Sequence, residues 1–317
     1  MPRILILKPS SLGDIIHALL IAQAMRQQLP GCRIVWVARE VFAPLVRAAT
    51  AVDEVLIFER QGGVRAFCRL LRDIRRERFD FVLDLQGLAR TGLMALVANA
   101  PTCYGRADAR ELLGRLVTRT VPLPKAGSQA HAVEILAQFL PEIGLRIDLG
   151  APLEFEAPAA APHTFTPAPI VVFPDSRRPE KEWPHFVELT RHLLTSHAGQ
   201  PIVWAGSQIA GNLPPELLEQ PSFINRIGQT ALEALPSLVA QARLVIANDS
   251  GPMHLAAALH RPLVALFGPT PPERFGPWPL DCPRHRVLRA PGGDLNKLTM
   301  EAVAQTVDTV LAGAHSQ

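Results

Sequence analysis

The stretch that most constrains the fold is a strand-to-helix junction in the second half of the chain. The apolar run Leu244-Val-Ile246 is typical of a buried strand, and Asn248-Asp-Ser-Gly251 leads from it into an apolar helical run that ends near Leu259. A tight junction of this kind leaves backbone N–H groups unpaired at the helix N-terminus, where the helix dipole also favours negative charge. The junction therefore predicts a site for a phosphate or diphosphate.

The side chains of this junction suit an anionic ligand. Asp249 or Ser250 can cap the helix, and Gly251 permits a ligand to approach the backbone closely. His254 follows one helical turn later and is expected to face the same way. The alternative is an ordinary capped helix with a solvated histidine, which these residues alone do not distinguish from a phosphate site.

The N-terminal segment repeats this arrangement. The sequence predicts a strand at Arg3–Lys8, a turn at Pro9–Asp14 and a helix at Ile15–Leu29. The two junctions lie 235 positions apart when Asp14 is compared with Asp249. This spacing predicts two similar α/β domains, because each junction needs its own sheet and covering helices.

Several motifs, in order along nearly the whole chain, resemble those of glycosyltransferase family 9, the heptosyltransferases of lipopolysaccharide core assembly. They are Pro9-Ser-Ser-Leu-Gly-Asp-Ile-Ile-His17, Lys181-Glu-Trp-Pro184, Asn248-Asp-Ser-Gly-Pro-Met-His254 and Gly268-Pro-Thr270. The resemblance implies the GT-B architecture, in which two Rossmann-like domains with parallel sheets face each other across a cleft. It also implies that the first domain binds the acceptor and that the second binds the donor, ADP-heptose.

A change of composition marks the expected domain boundary. Residues 150–169 are rich in alanine and proline, which disfavours regular structure and predicts a semi-stiff linker. We expect an N-terminal acceptor-binding domain at 1–155, a linker at 156–169 and a C-terminal donor-binding domain at 170–317. Predicted strands and helices alternate on both sides of the linker, and the last helix, near Thr299–Leu311, can cross back to the first domain.

Composition narrows the class of protein and its compartment. The chain has 317 residues, of which 48% are hydrophobic and 19% charged, and this suits two soluble domains. The sequence shows no apolar run as long as a membrane span and no signal-peptide pattern, and its four cysteines lack metal-ligand spacing. We therefore expect a cytoplasmic protein with reduced thiols. A net charge of +3 permits an anionic partner but does not demand nucleic acid.

The sequence carries no motif for a metal ion or a redox cofactor. An Asp-x-Asp pair in a suitable loop and a His/Cys cluster with ligand spacing are both missing. The dinucleotide-binding pattern Gly-x-Gly-x-x-Gly is also missing. We expect activity without a metal ion or a nicotinamide cofactor.

Asp14 is the predicted catalytic residue. Inverting glycosyl transfer needs a carboxylate that takes the proton of the acceptor hydroxyl as the new bond forms. Asp14 is expected at the top of the first strand, on a turn that Gly13 makes possible, and it matches the Asp proposed as general base in the resembling family. The alternative is that Asp14 only caps the helix. His17, one turn along, is predicted to orient Asp14 and contact the acceptor, or else to be a surface histidine.

Lys181 is the predicted cation for the leaving diphosphate. In the resembling family the matching lysine contacts the nucleotide-sugar phosphates, and a cation stabilises the charge that develops when the anomeric bond breaks. The alternative is a surface ion pair with the flanking Glu180 or Glu182. Residues 205–208 lack the acidic residue found there in some heptosyltransferases, so recognition of the adenosine is not assigned. The donor-binding set implied by the resemblance is Ser10, Ser11, Gly13, Ser176, Lys181, Asp249, Ser250, Gly251 and His254.

The acceptor side is predicted from polar residues of the first domain. The segment Asp84-Leu-Gln86-Gly resembles an Asp-x-Gln-Gly segment of the family, which places Gln86 near the cleft, although these residues can also cap the next helix. Arg106 and Arg110 lie in a turn-rich segment, where we expect a mobile acceptor-binding loop. The helix predicted at 63–77 carries a basic stripe, defined as Arg65, Arg69, Arg72 and Arg76. Such a stripe indicates either a solvated surface or a contact with an anionic acceptor or lipid headgroups.

The residues and the resemblance together predict an inverting, metal-independent glycosyltransferase. It would move heptose from ADP-heptose to the Kdo-containing inner core on lipid A, in peripheral contact with the cytoplasmic face of the inner membrane. Ser10, Ser11 and His17 favour the heptosyltransferase I type, whereas heptosyltransferase II or a transferase with another acceptor is the alternative within the family. Outside it, the alternatives are a sugar-nucleotide epimerase or hydrolase of similar architecture and a non-catalytic nucleotide-sugar-binding protein.

Overall fold

Strands and helices alternate along the chain, as the sequence predicts for α/β domains. The computed structural model describes residues 1–109, 111, 117–157, 164–207 and 213–313. The chain divides into two compact units, Met1–Ala157 and Pro158–Gln317. Each unit contains a six-stranded sheet in which neighbouring strands run parallel.

The described residues of the first unit form six strands and six α-helices. The strands are β1 (Arg3–Leu7), β2 (Arg33–Arg39), β3 (Glu54–Phe58), β4 (Phe81–Asp84), β5 (Thr102–Arg106) and β6 (Arg119–Val121). The helices are α1 (Leu12–Gln28), α2 (Ala43–Ala48), α3 (Gly63–Arg76), α4 (Ala89–Val97), α5 (Ala132–Ala137) and α6 (Phe139–Glu142). The strands lie in the order β3-β2-β1-β4-β5-β6.

The second unit repeats this plan. Its strands are β7 (Ile170–Phe173), β8 (Ile202–Gly206), β9 (Phe223–Ile227), β10 (Leu244–Asn248), β11 (Leu263–Phe267) and β12 (His285–Arg289). Its helices are α7 (Phe186–Ser196), α8 (Pro215–Leu218), α9 (Leu235–Ala240), α10 (Gly251–Ala258), α11 (Pro272–Phe275) and α12 (Met300–Gly313). The strand order β12-β11-β10-β7-β8-β9 is the same doubly wound order as in the first sheet.

The central strands are mostly apolar, as expected for strands that are buried on both faces of a sheet. All of β7, β10 and β11 is buried, and so are residues 4–7 of β1. Parallel strands buried on both faces carry continuous apolar runs rather than alternating ones. This pattern is what made the central strands recognisable in the sequence.

Each sheet has one point at which the strand order reverses. It lies between β1 and β4 in the first unit and between β7 and β10 in the second. In open α/β sheets, ligands bind beyond the carboxyl ends of the strands at such a switch point. The residues that follow these four strands are therefore the ones that the fold places at candidate sites.

The predicted fold class, an α/β protein with two Rossmann-like domains of the GT-B type, is confirmed. That the two sheets face each other across a cleft stays a prediction. At the end of the first unit, Glu154 and Glu156 hydrogen-bond to Thr50 and Ala48 next to α2. The expected linker at 156–169 is in part outside the described residues, because 158–163 are not among them.

Helix α1 begins three residues earlier than predicted. Ser11 is its N-cap, and Asp14 occupies the third helical position, where its carboxylate accepts from the Ser11 backbone N–H. This half of a capping box stabilises the first turn and starts the helix at Leu12 rather than Ile15. Gly13 and Asp14 are therefore helical residues and do not form a separate turn.

The apolar spacing of residues 130–143 predicts one amphipathic helix, which the structure divides into α5 and α6. Pro141 has no backbone N–H and cannot donate to the carbonyl of Ala137, so the regular hydrogen bonding is interrupted. The sequence analysis overlooked this proline because the apolar periodicity continues through it.

The predicted loop around Tyr104 and Arg106 is instead strand β5. It pairs with β4 on one side and with β6 on the other, and Tyr104 is buried. The short, mixed sequence Thr-Cys-Tyr-Gly-Arg lacks the apolar run that identifies a central strand, so β5 was missed. Strands β6, β9 and β12, which were not predicted either, lie towards the outer ends of the sheets.

The helix predicted at 63–77 is expected to face the sheet with Val64, Phe67, Cys68, Leu71 and Ile74, and α3 packs with most of this face but not with Val64 and Cys68. Leu70 and Ile74 are buried, with Phe67 and Leu71 packed beside them at helical spacing. Val64, expected to face the sheet, is 78% exposed. The four arginines of the basic stripe are exposed as well. The outer surface of α3 is thus mainly basic, with one apolar side chain in its first turn.

The last predicted helix is expected to cross back to the first domain. Helix α12 packs against α7, and its buried residues belong to the core of the second unit; that it reaches the first domain stays a prediction. No helix within the described ranges combines the length and apolarity required to cross a bilayer.

Candidate active site

The first candidate group lies where β1 passes into α1. The backbone N–H and the hydroxyl of Ser11 both donate to Asp14 Oδ2, over 3.2 and 2.6 Å. Lys8 Nζ lies 3.3 Å from Asp14 Oδ1 and donates to the carbonyl of Leu85 over 3.2 Å. Both oxygens of Asp14 are therefore held, while 47% of its side chain stays exposed.

The surroundings of Asp14 favour its charged form. Burial by itself would raise the pKa of this carboxyl, but the Lys8 ammonium, the Ser11 hydrogen bonds and His17 outweigh it and hold the pKa well below its usual range. Asp14 thus caps α1 and also presents an ionised carboxylate at the switch point. The two alternatives of the sequence analysis, cap and functional carboxylate, are compatible.

The turn after β4 is organised by Asp84. This residue is completely buried; its Oδ1 accepts from the backbone N–H groups of Gln86 and Gly87, and its Oδ2 accepts from the Thr91 hydroxyl. Burial raises the pKa of Asp84 in spite of these hydrogen bonds. Asp84 therefore shapes the turn, whereas the side-chain oxygen of Gln86 is buried and receives no hydrogen bond from any described group.

A cavity of about 440 Å³ opens beside this turn, within the first unit. Its wall combines Ser10 and Gln86 with three arginines that follow or begin the neighbouring elements, Arg39, Arg60 and Arg90. One acidic residue, Glu111, also lines it, and its carboxylate accepts from the backbone N–H of Ala89 at the start of α4. The described part of the wall carries three arginines and one glutamate, which suits an anionic ligand of the size of a sugar.

The other residues predicted to bind the acceptor are His17, Arg106 and Arg110. His17 is 5% exposed on α1, with its ring centroid 5.7 Å from that of His131, so the surface-histidine alternative is wrong. Arg106, at the end of β5, forms a bidentate ion pair with Asp108, over 2.9 and 2.8 Å. It also donates to the Leu85 carbonyl, which places it near Lys8. Arg110 lies outside the described residues.

In the second unit, Lys181 forms an ion pair across the switch point. Its Nζ lies 2.6 Å from Asp249 Oδ2, in a largely buried contact, and the Thr270 hydroxyl donates to the same oxygen. The surface pair with Glu180 or Glu182 is therefore wrong. Glu180 binds Arg178 instead, and Glu182 accepts from the backbone N–H of Ser176. Lys181 is held at the edge between β7 and β10, although the two residues of the pair are 68 positions apart.

The junction of β10 and α10 differs in detail from the prediction. Asp249 binds Lys181 and Thr270 rather than capping α10, and Ser250 holds the N-cap position without a capping hydrogen bond from its side chain. The Ser250 hydroxyl oxygen is buried, and no group in the described part of the chain is its partner. Gly251 is the first residue of α10, and His254 is nearly buried on it. A buried, unpartnered hydroxyl beside a helix N-terminus suits an anionic ligand.

A carboxylate lies next to the end of β8, although it belongs to a residue that follows β7 and not to the segment 205–208. Asp175 follows β7, and its Oδ2 accepts from both the backbone N–H and the hydroxyl of Ser207, each over 2.8 Å. Asp175 also lines a cavity of about 330 Å³ with Trp183, Trp204 and other apolar residues. The sequence analysis looked for an acidic residue only within 205–208, so it missed the one that β7 supplies.

Sequence reasoning also missed Lys8 and the three arginines of the cavity. A signal for Lys8 was present, since a lysine directly after a fully buried strand needs a carboxylate partner nearby. Arg39 ends β2, Arg60 follows β3 and Arg90 follows the turn after β4, and only the strand order shows that they meet. Within the described ranges, no group of three or more His, Cys, Asp or Glu side chains is placed to hold a metal ion.

The chain is similar to known proteins over most of its length. Residues 67–299 match the family model described as Glycosyltransferase family 9 (heptosyltransferase). Lipopolysaccharide heptosyltransferase 1 of Escherichia coli O18:K1:H7 is 28% identical over 326 residues, which cover 96% of this chain and 97% of that protein. Lipopolysaccharide heptosyltransferase 2 of Salmonella typhimurium LT2 is also 28% identical, over 90% of this chain and 88% of that protein. The solved structure of E. coli heptosyltransferase WaaC with ADP has 26% sequence identity and a TM-score of 0.79, covering 97% of this chain and 99% of that one.

Proposed function

The chain belongs to glycosyltransferase family 9, the heptosyltransferases, and we propose that it transfers heptose from ADP-heptose to the Kdo-containing inner core of lipopolysaccharide. The reaction is of the heptosyltransferase I type, inverts the anomeric centre and needs no metal ion. The observation that carries the proposal is Asp14, a half-exposed and ionised carboxylate at the switch point of the first sheet. A general base needs both that charge and that access.

In the proposed reaction, Asp14 takes the proton of an acceptor hydroxyl. The O–H bond breaks as the acceptor oxygen forms a bond to the anomeric carbon of heptose. The bond from that carbon to the diphosphate oxygen breaks on the opposite face, and its electron pair leaves with ADP. Inversion follows because attack and departure occur on opposite faces.

Lys181 is proposed to stabilise the charge on the departing ADP. In the structure its ammonium is bound to Asp249, so the cation is already placed at the carboxyl ends of β7 and β10. A diphosphate that approaches Lys181 meets an ammonium group whose position Asp249 already fixes, so the side chain does not have to reorganise. The Ser250 hydroxyl and the N-terminus of α10 supply hydrogen-bond donors at the same edge, with Ser176, Gly251 and His254 nearby in the proposed donor site.

The acceptor is proposed to bind in the cavity of about 440 Å³ in the first unit. Arg39, Arg60 and Arg90 line it, and guanidinium groups pair with carboxylates through two parallel hydrogen bonds. A Kdo sugar carries a carboxylate, so the charges are complementary. Gln86 lines the same wall, and so does Ser10, which the resemblance implies for the donor and which is proposed here as a polar contact of the acceptor.

Peripheral contact with an anionic membrane is proposed for helix α3. Its outer face carries the exposed basic stripe and the exposed Val64. Basic side chains are attracted to anionic headgroups, and an apolar side chain can enter the interface. The acceptor is a lipid, so this contact would bring the enzyme to its substrate.

Heptosyltransferase II is the second candidate. The chain is 28% identical both to the heptosyltransferase 1 of E. coli O18:K1:H7 and to the heptosyltransferase 2 of S. typhimurium LT2. The test measures ADP release from ADP-heptose without acceptor, with Kdo-bearing lipid A, and with the same lipid already carrying one heptose. A heptosyltransferase of type I should release ADP only with Kdo-bearing lipid A. Release of ADP only with the lipid that already carries one heptose would assign type II.

The same assay tests the alternatives outside the family's reaction. Release of ADP without any acceptor would indicate a hydrolase and contradict the proposal. No release with any acceptor, together with tight binding of ADP-heptose, would support a non-catalytic nucleotide-sugar-binding protein. A change in the sugar without release of ADP would indicate an epimerase.

A further inference from the structure

Lys8 is a buried charged residue that the proposed reaction does not use directly. It follows β1 and is only 1% exposed, and its backbone carbonyl accepts from the indole N–H of Trp36 over 3.0 Å. An ammonium group in such a place is costly unless it is paired and hydrogen-bonded. Its partners are Asp14 Oδ1 at 3.3 Å and the carbonyl of Leu85 at 3.2 Å.

Lys8 and Asp14 differ in their access to solvent. The Lys8 side chain is almost completely enclosed, whereas nearly half of the Asp14 side chain is exposed. A ligand that approaches from solvent can therefore reach the carboxylate but not the ammonium group. An effect of Lys8 on the proton of an acceptor hydroxyl would therefore act through Asp14, while its hydrogen bond to the Leu85 carbonyl fixes the turn after β4.

Three other charged groups, Asp14, Arg106 and Asp84, act on Lys8, and Asp14 is the carboxylate that contacts it directly. Burial lowers the pKa of Lys8, and Arg106 lowers it further, while Asp14 and, more weakly, Asp84 oppose this. The charge of Arg106 is itself paired with Asp108. The oxygens of Asp84 already accept hydrogen bonds from the turn that it organises.

Among the described residues, the charged and titratable groups with the largest effect on Asp14 are Lys8 and His17. His17 favours the ionised form of the carboxyl but acts more weakly than Lys8, and its ring lies beside that of His131. Asp14 also accepts two hydrogen bonds from Ser11, which is neutral. Lys8 is thus the main cation that opposes the effect of burial on Asp14.

We infer that Lys8 is a positioning residue, which holds the Asp14 carboxylate ionised and fixes its orientation from the buried side. The inference rests on the proposed role of Asp14 as general base. Lys8 binds Oδ1 and Ser11 binds Oδ2, so the carboxylate cannot rotate freely. During transfer the acceptor proton moves to Asp14, and Lys8 keeps its own proton throughout.

The test replaces Lys8 with methionine, which keeps most of the side-chain volume and removes the charge. An opposite charge at this distance lowers the pKa of a carboxyl by about 1 to 3 pH units. In Lys8→Met the effect of burial is no longer opposed by the ammonium group, so the pKa of Asp14 should rise by about that amount. The measurements are the pH dependence of kcat/KM and a 13C NMR titration of the Asp14 carboxyl, assigned with Asp14→Asn.

The direction of the expected pH effect follows from this change. In the wild type Asp14 stays ionised through mildly acidic pH, so its protonation should not limit kcat/KM there. In Lys8→Met, kcat/KM should fall as the pH decreases through the raised pKa. His17 is present in both the wild type and Lys8→Met, so its titration contributes to both pH profiles. The difference between the two profiles therefore measures the effect of the Lys8 charge. Lys297→Met, which removes an exposed lysine paired with Asp294, should leave the profile unchanged.

Equal loss of kcat/KM at every pH, with an unchanged titration of Asp14, would overturn the inference and reduce Lys8 to a structural ion pair. If Lys8→Met does not fold, the reciprocal experiment uses Asp14→Asn and follows Lys8 Nζ by 15N NMR. Loss of the carboxylate should then lower the pKa of Lys8 further, and an unchanged value would overturn the coupling. If the wild type transfers no heptose to any acceptor, the proposed function fails, while the NMR titrations still decide whether Lys8 controls Asp14.

Discussion

At the scale of single residues, the account depends on two charged pairs that have different tasks. Lys8 and Asp14 form a pair in which the carboxylate is the accessible member. Lys181 and Asp249 form a pair in which the lysine is the more exposed member, at 15% against 5%. The first pair thus offers a base and the second offers a cation, which are the two charges that inverting transfer to a hydroxyl requires.

Replacement of Asp14 tests the base. We expect Asp14→Asn to lower kcat by about 100- to 10,000-fold, since the amide cannot accept the proton but keeps a similar shape. The affinity for ADP-heptose, measured by calorimetry, should change little because the donor is proposed to bind in the second unit. Asp148→Asn removes an exposed carboxylate from the same unit and serves as the matched control. Near-normal kcat in Asp14→Asn would leave Asp14 as a helix cap only.

Replacement of Lys181 tests the cation. We expect Lys181→Met to reduce kcat/KM by about 100- to 1,000-fold, as for the loss of one electrostatic contact to the developing charge. Steady-state kinetics measure this effect, and a melting curve checks that the unpaired Asp249 has not unfolded the second unit. Lys297→Met is the control with an exposed lysine. If both variants have wild-type kinetics, Lys181 has only a structural role.

At the scale of elements, the strand-to-helix junctions were the parts that the sequence predicted best. β1, β10 and the residues that follow them stand out because a buried apolar run ends in a polar turn and an apolar helix begins. The partners within each junction were less predictable. Lys181 meets Asp249 only because β7 and β10 are neighbours in the sheet, and a single sequence does not reveal that order.

Elements without a continuous apolar run were harder to predict. Strand β5 was mistaken for a loop because it contains Gly105 and Arg106, yet its neighbours β4 and β6 hold it in the sheet. The arginines of the cavity were missed for a similar reason. Each follows a different strand or turn, so their common position is a property of the sheet and not of any local pattern.

The basic surface of α3 gives a prediction at this scale. Replacing its four stripe arginines by glutamine should weaken binding to vesicles that contain phosphatidylglycerol by at least about tenfold at low salt, since each basic residue near an anionic surface contributes about 1 kcal/mol. Vesicle sedimentation measures this, and added salt should reduce the binding of the wild type. A matched control replaces four exposed arginines of the second unit, Arg191, Arg284, Arg286 and Arg289. Equal loss in both variants would reflect net charge alone and contradict a specific role for α3.

At the scale of the whole molecule, the two units have the same strand order but different chemistry at their switch points. The first unit has an exposed carboxylate, Asp14, and an arginine-lined cavity whose wall includes Ser10, and the second has a lysine paired with Asp249, directly before the N-cap of α10. This difference supports the proposed division, with the acceptor on the first unit and the diphosphate of the donor on the second. A protein that only bound a nucleotide sugar would have no need of the first site.

Independence of metal ions is a prediction for the complete reaction. If Lys181 and the N-terminus of α10 stabilise the departing diphosphate, removal of divalent ions with EDTA should leave kcat unchanged within about twofold, because no metal–phosphate contact is lost. The measurement compares initial rates after dialysis against EDTA with rates after addition of magnesium. Loss of activity on dialysis and recovery with magnesium would contradict the proposed role of Lys181 as the main cation.

The most direct test of the central claim is the structure of the product. Incubation of the enzyme with ADP-heptose and Kdo-bearing lipid A should give a lipid heavier by one heptose, as measured by mass spectrometry. NMR should show that the new linkage has the anomeric configuration opposite to that of the donor, and Asp14→Asn should give almost none of this product. An unchanged lipid, or a product with retained configuration, would contradict an inverting heptosyl transfer with Asp14 as the base.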